Sequence, residues 1–204
     1  HKGCFLHLPT VQSHREALLW NEIFAYAQDF CVLPRGKIKV TVPIETVCAA
    51  LEMHEILHAL REHAVALSCG YHGYLADLAK TIVDNEKPSS ATDHNFQFEP
   101  CLQDLAQLLV KTCHQRGAYA ISGPTTDENT THVRAIKEKE AEFGFDGSQV
   151  AQPEEVLTAR EVFDQHLKMV RERHDERENI VPKAHDVFAE TAQGPTQLGF
   201  MREG

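Results

Sequence analysis

Apolar positions along the chain follow two spacings that alternate from segment to segment. Over Ser13 to Phe30, the residues Ala17, Leu18, Trp20, Ile23, Phe24 and Ala27 recur at the period of one helical face. Ser13 stands at the capping position, with Glu16 three residues on. Leu33-Pro34-Arg35-Gly36 reads as a turn. Lys37 to Ile44 is β-branched and strand-like, and Pro43 marks its end. A helix is expected from about Thr46 to His63, with an apolar stripe of Ala49, Met53, Ile56, Leu57 and Leu60 that runs on to Ala64. Ala64 to Cys69 is a short apolar run closed by Gly70, a second strand. Gly73 to Asp84 forms the next helix.

Glu86 to Phe98 is polar and Pro/Ser-rich, a loop. Pro100 suits the first turn of a helix that reaches Arg116 and stops at Gly117. Ala118 to Ser122 is a third strand, Asp127 to Phe143 a helix, Ser148 to Ala151 a fourth strand, and Pro153 to about Val170 a last helix. From Arg171 the chain is charge-rich and then punctuated by Gly and Pro, which sets 171–204 apart from a domain over 1–170. Strand followed by helix, about four times, predicts an α/β fold with parallel strands. Four βα units make half of an eight-unit barrel or an open sheet, and periodicity does not choose between them. In both, functional groups gather where strands end and helices begin. Glu45 and the Gly70–Gly73 turn fall there.

Composition narrows the class. With 204 residues, 42% hydrophobic and 25% charged, the chain can bury a core without staples. A net charge of -10 argues against a general nucleic-acid binder. No apolar run approaches the ~20 residues of a membrane span. Six scattered cysteines without a C-x-x-C pair fit a reducing, intracellular compartment. The chain opens without Met and without a leader, as a fragment would.

Thirteen histidines raise the question of a metal. His54-Glu55-Ile56-Leu57-His58 is an H-E-x-x-H on an expected helix, the arrangement of a zinc hydrolase. The longer form of that motif is absent, because Arg61 and Ala64 stand where its Gly and third His belong. A chain this rich in His also produces such spacings by chance.

A second set of residues carries a resemblance. It runs through Leu8-Pro9, Ser13-His14, Glu16-Ala17, Leu19-Trp20-Asn21 and Ala27-Gln28-Asp29. It continues over Pro34-Arg35-Gly36, Ile44-Glu45-Thr46, Ala49-Ala50, Glu52-Met53, Glu55-Ile56-Leu57, Leu60-Arg61 and His63. It resumes at Leu108 to His114 and Arg116-Gly117-Ala118, with echoes at Asp146-Gly147, Val150-Ala151, Pro153 and Glu161 to Asp164. In order and spacing these segments resemble malate synthase. A related acyl-CoA lyase would share the architecture, but Leu8–Asn21 and Ile44–His63 favour malate synthase.

The resemblance implies a partial TIM (β/α)8 barrel. It also implies an acyltransferase of the glyoxylate cycle, condensing acetyl-CoA with glyoxylate to give malate and CoA. Its partners are then acetyl-CoA and glyoxylate, its cofactor Mg²⁺, and its compartment cytoplasmic or peroxisomal. Arg202-Glu203-Gly204 carries no peroxisomal tripeptide. Glu45 stands at the position of the family's metal-binding Glu. Gly70, Tyr71, His72 and Gly73 stand in the loop whose backbone N–H groups hold the glyoxylate carboxylate.

The departures from the family are specific. The family loop reads G-L-N-x-G-x-W-D-Y, and here Ala66, Ser68, His72 and Gly73 differ. Gly73 takes the place of the second metal-binding carboxylate, so a Gly73→Asp change is expected to restore Mg²⁺ binding if the site keeps its geometry. His54 and His58 replace Asp and Tyr types, which makes the H-E-x-x-H a product of drift. Pro100 is kept near the acetyl-CoA side, whereas Gly123-Pro124-Thr125-Thr126 replaces a Gly-Gly-Met-Ala-Ala stretch. The family's catalytic Arg and Asp lie outside this chain, so no catalytic residue is assigned. The expectation is an impaired acyltransferase. The alternative is an inactive pseudoenzyme or partner-binding remnant that self-associates through open strand edges.

Overall fold

The structure, a computed structural model, describes residues 4–82, 100–124 and 130–180. The chain divides into two compact units, His1–Asp164 and Gln165–Gly204. In the second unit, 165–180 are described, and they are helical. The expected loop over Glu86–Phe98 and the Gly/Pro-punctuated end lie outside the described residues.

The elements run β1 (Cys4–His7), α1 (His14–Phe30), β2 (Ile38–Ile44), α2 (Val47–Leu51), α3 (Met53–Ala59), β3 (Ala64–Cys69), α4 (Tyr71–Ile82), α5 (Pro100–Arg116), β4 (Tyr119–Ser122), α6 (Thr130–Phe143), β5 (Gly147–Ser148) and α7 (Glu155–Ile180). The strands form one sheet in sequence order, and every neighbouring pair is parallel. Parallel neighbours in sequence order require a crossover at each step, which the helices supply. This is the arc of a half-barrel: the pattern of strands and helices predicts the parallel α/β sheet, and the partial barrel is what the family resemblance implies.

Local chemistry accounts for most boundaries. Ser13 caps α1, its Oγ accepting from Glu16 N at 3.4 Å. Thr46 caps α2, its Oγ1 accepting from Ala49 N at 3.1 Å. Gly117 ends α5 in the left-handed region at φ 71°, which a residue without Cβ adopts freely. Val40, Val42 and Ile44 of β2 and Leu67 and Cys69 of β3 are buried against Ile56, Leu60, Leu102 and Leu109. His63, also buried, bonds through Nδ1 to the Ile38 carbonyl at 2.9 Å and tilts against Phe24. It is a core histidine.

Several expectations change. A fifth strand, β1, precedes the four expected, and all its residues are exposed. The helix expected over Thr46–His63 is two helices broken at Glu52, whose φ and ψ are -109° and 18°. Glu52 Oε2 accepts from His14 N at 2.9 Å and pairs with His14 Nδ1 at 2.6 Å. Its carboxyl lies below the usual range, chiefly through that backbone hydrogen bond and then the His14 ring. The helix expected from Gly73 starts at Tyr71, which puts Gly73 in its first turn. The last strand shifts back to Gly147–Ser148, where it pairs with Ile121 and Ser122. On α1, Ala17, Phe24 and Gln28 are buried, while Leu18, Trp20 and Ile23 are exposed. β1 is the sheet's edge, so among the described residues α1 meets a neighbouring helix, α3, on one flank.

Candidate active-site mouth

The C-terminal ends of the strands converge on one cavity of about 160 Å³. His7 ends β1, Pro43 and Glu45 end β2, Cys69 ends β3, Pro124 follows β4, and Gln149 follows β5. Gly70, Tyr71, His72 and Gly73 complete the lining. All five residues that the sequence assigns to metal and substrate therefore meet in this cavity.

The Gly70–Gly73 turn is built by the neighbouring strand end. Gly70 N donates to Ile44 O at 3.1 Å, and Tyr74 N donates to Gly70 O at 2.9 Å. The first-turn N–H groups of a helix carry the positive end of its dipole. Those groups in α4 belong to the residues that line the cavity. Such a turn suits an anion.

Glu45 does not stand as a metal ligand would. Its Oε2 accepts from Thr10 N at 3.0 Å. Its stem lies over both glycines. A Cβ at Gly73 would come within 2.9 Å of Glu45 Cβ, and one at Gly70 would fall on Glu45 Cγ. Asp77, four residues beyond Gly73, accepts from Val47 N at 2.9 Å and so caps α2 instead. Among the described residues, no group of three or more His, Cys, Asp and Glu is arranged to hold a metal ion. Mg²⁺ takes hard oxygen ligands, commonly one or two carboxylates. Among the described residues the cavity lining offers one carboxylate, with one oxygen given to the Thr10 N–H, and Gly73 stands where the resemblance places the second, so these residues do not fit the ion.

Cys69 and Tyr71 offer no nucleophile or base. Burial pushes both the Cys69 thiol and the Tyr71 hydroxyl well above their ordinary ranges. The thiol therefore stays protonated.

Below the ends of β4 and β5 lies a buried polar floor that the sequence reading missed. Lys137 is fully buried, and Glu140 is nearly so. Lys137 Nζ donates to Glu140 Oε2 at 3.1 Å, to Ser148 Oγ at 2.6 Å and to Gln149 O at 3.3 Å. Ser122 Oγ donates to Ser148 Oγ at 2.8 Å. Gln149, a lining residue, thus has its backbone tied to a buried cation. The signal was spacing: Val133, Ile136, Lys137, Glu140 and Ala141 share the buried face of α6.

The H-E-x-x-H lies elsewhere, beside a cleft lined by His14, Leu18, His54, Glu55, His58, Ala59 and Arg116. Arg116 Nε donates to His54 Nδ1 at 3.0 Å. A guanidinium facing that ring opposes a dication. The motif forms no zinc site among the described residues.

Comparison with known proteins agrees with this geometry. The family model described as malate synthase, TIM barrel domain, matches residues 1–190. Malate synthase of Streptomyces clavuligerus is 40% identical over 216 residues, covering 98% of this chain and 40% of the relative. Malate synthase A of Escherichia coli is 41% identical over 177 residues, covering 81% of this chain and 33% of the relative. Glyoxysomal malate synthase of Gossypium hirsutum is 33% identical, covering 81% of this chain and 31% of the relative. The chain thus spans between 31% and 40% of the length of these curated relatives. Among solved structures, a citrate lyase of Burkholderia xenovorans covers 78% of this chain and 48% of that one, with a TM-score of 0.69 at 18% identity. That likeness is one of fold. The match over nearly the whole sequence, on a parallel half-barrel with its cavity at the strand ends, places this chain in the malate synthase family.

Proposed function

We propose that the chain is the glyoxylate-binding portion of a malate-synthase-type acyltransferase, and that by itself it does not complete the condensation with acetyl-CoA. The observation that carries this reading is the meeting of Glu45 with the Gly70–Gly73 turn in one cavity at the strand ends. The α4 N–H groups suit the carboxylate of a small 2-oxo acid. Gln149 and the imidazoles of His7 and His72 supply polar wall. Among the described residues Glu45 is the sole carboxylate of that lining, and it is engaged with Thr10. Glu45 is therefore not placed as a carboxylate base to take a proton from an acetyl methyl.

A non-catalytic, self-associating role is the second reading. It is favoured by β1, an edge strand with Phe5 73% exposed and no charge or proline to guard it. Among the described residues, no helix is long and apolar enough to cross a membrane. A cytoplasmic or peroxisomal setting belongs to the proposal. The test is thiol release from acetyl-CoA with glyoxylate and Mg²⁺ present. The expected result is a rate equal to the protein-free blank. Turnover that needs both substrates would overturn the impaired reading.

A further inference from the structure

We infer that Glu45 in this chain is a positioning residue and not a metal ligand: it ties the β1–α1 connection across the mouth of the half-barrel. Three observations meet on it. Thr10, whose N–H it receives at 3.0 Å, has φ 61°, a left-handed conformation for a β-branched residue. A charge-assisted hydrogen bond to a carboxylate is the kind of contact that holds such a backbone. The Glu45 stem then crosses Gly70 and Gly73 so closely that a Cβ at Gly73 would lie 2.9 Å from Glu45 Cβ. The second carboxylate of a metal pair is absent at position 73, and Glu45 fills the space that side chain would need. The same glycine that removes a ligand thus gives the remaining carboxylate its seat against the turn.

The two roles separate under one substitution. An amide oxygen at position 45 still accepts the Thr10 N–H, but it lacks the charge a hard dication requires. The experiment compares wild type, Glu45→Gln and Glu45→Ala, with no substrate added. Amide hydrogen exchange reads the Thr10 N–H, and Mn²⁺-induced relaxation of cavity resonances reads a metal site.

Thr10 should exchange slowly in wild type and in Glu45→Gln, and at least about tenfold faster in Glu45→Ala. Mn²⁺ should give no saturable site into the millimolar range in any of the three. A saturable Mn²⁺ site that Glu45→Gln abolishes would overturn the inference. So would equal Thr10 exchange in wild type and Glu45→Ala. If Glu45→Ala does not fold, Glu45→Gln still decides: slow Thr10 exchange supports the anchor, and fast exchange refutes it. The readouts are an amide and a metal, so failure here is distinct from failure to bind glyoxylate.

Discussion

Replacing Lys137 by methionine removes the cation from the polar floor beneath the mouth and leaves the volume nearly unchanged. Lys137 is 0% exposed and Glu140 4%, so neither group can recover its hydration without opening α6. Breaking a buried ion pair by removing one partner costs about 3–5 kcal/mol. Here the substitution also removes donors to Ser148 Oγ and Gln149 O. The loss has a ceiling, because Glu140 can escape by taking a proton. Burial already pushes its carboxyl up, and Lys137 is the largest opposing influence.

The expected cost of Lys137→Met is therefore about 3 kcal/mol at pH 8. For a chain of this size that lowers Tm by about 6–12 °C. The sign of the pH dependence follows from the raised Glu140 pKa. Folded Glu140 binds its proton more tightly than unfolded, so stability rises as pH falls from the folded pKa toward the unfolded one. The deficit of the variant should shrink on acidification. Lys137→Met with Glu140→Leu should return to within about 1 kcal/mol of wild type, since an apolar pair replaces an ionic one. Urea unfolding of all four proteins closes the cycle. A loss below about 1 kcal/mol, or a double variant no better than the single, would refute a floor held by this pair.

Other consequences are more local. Cys4, Cys31, Cys48 and Cys101 are exposed, while Cys69 and Cys113 are buried, with the Cys113 thiol pushed up to about 12. A thiol reagent should modify four groups quickly and the remaining two after unfolding; fast reaction of Cys69 in native protein would contradict its burial. Gly73→Asp should not restore a magnesium site, because its Cβ meets Glu45. It should cost about 1–3 kcal/mol by overpacking and speed exchange at Thr10; a stable variant with saturable Mn²⁺ binding would oppose this. The open β1 edge predicts self-association, so light scattering should give a mass above 22.9 kDa that grows with concentration. A concentration-independent monomer would count against the second reading.

Much of the fold was legible because punctuation bounds it. Ser13, Gly70, Pro100 and Gly117 each mark a boundary by local chemistry, and α1, β3, α5 and β4 begin or end beside them. β1 was not legible. It is four residues long, exposed throughout, and defined by pairing with Ile38–Thr41. The break at Glu52 has no Gly or Pro to announce it, and the group its carboxylate meets is a histidine 38 residues away. The site divides in the same way. Glu45 and the Gly70–Gly73 turn could be placed at strand ends from order alone. The partner of Glu45, Thr10 N, lies 35 residues upstream, beyond any local pattern. Lys137 sits in the charge-rich run Lys137-Glu138-Lys139-Glu140, which reads as solvated surface until its spacing from Val133 and Ile136 is counted.

The central claim, that the mouth still receives glyoxylate, is tested most directly by titrating isotopically labelled chain with glyoxylate and following the backbone amides. Saturable shifts should centre on Gly70, Tyr71, His72 and Gly73, and acetate at the same concentration should not reproduce them. Amides in this turn that stay unmoved by glyoxylate, or that move equally with acetate, would contradict the account.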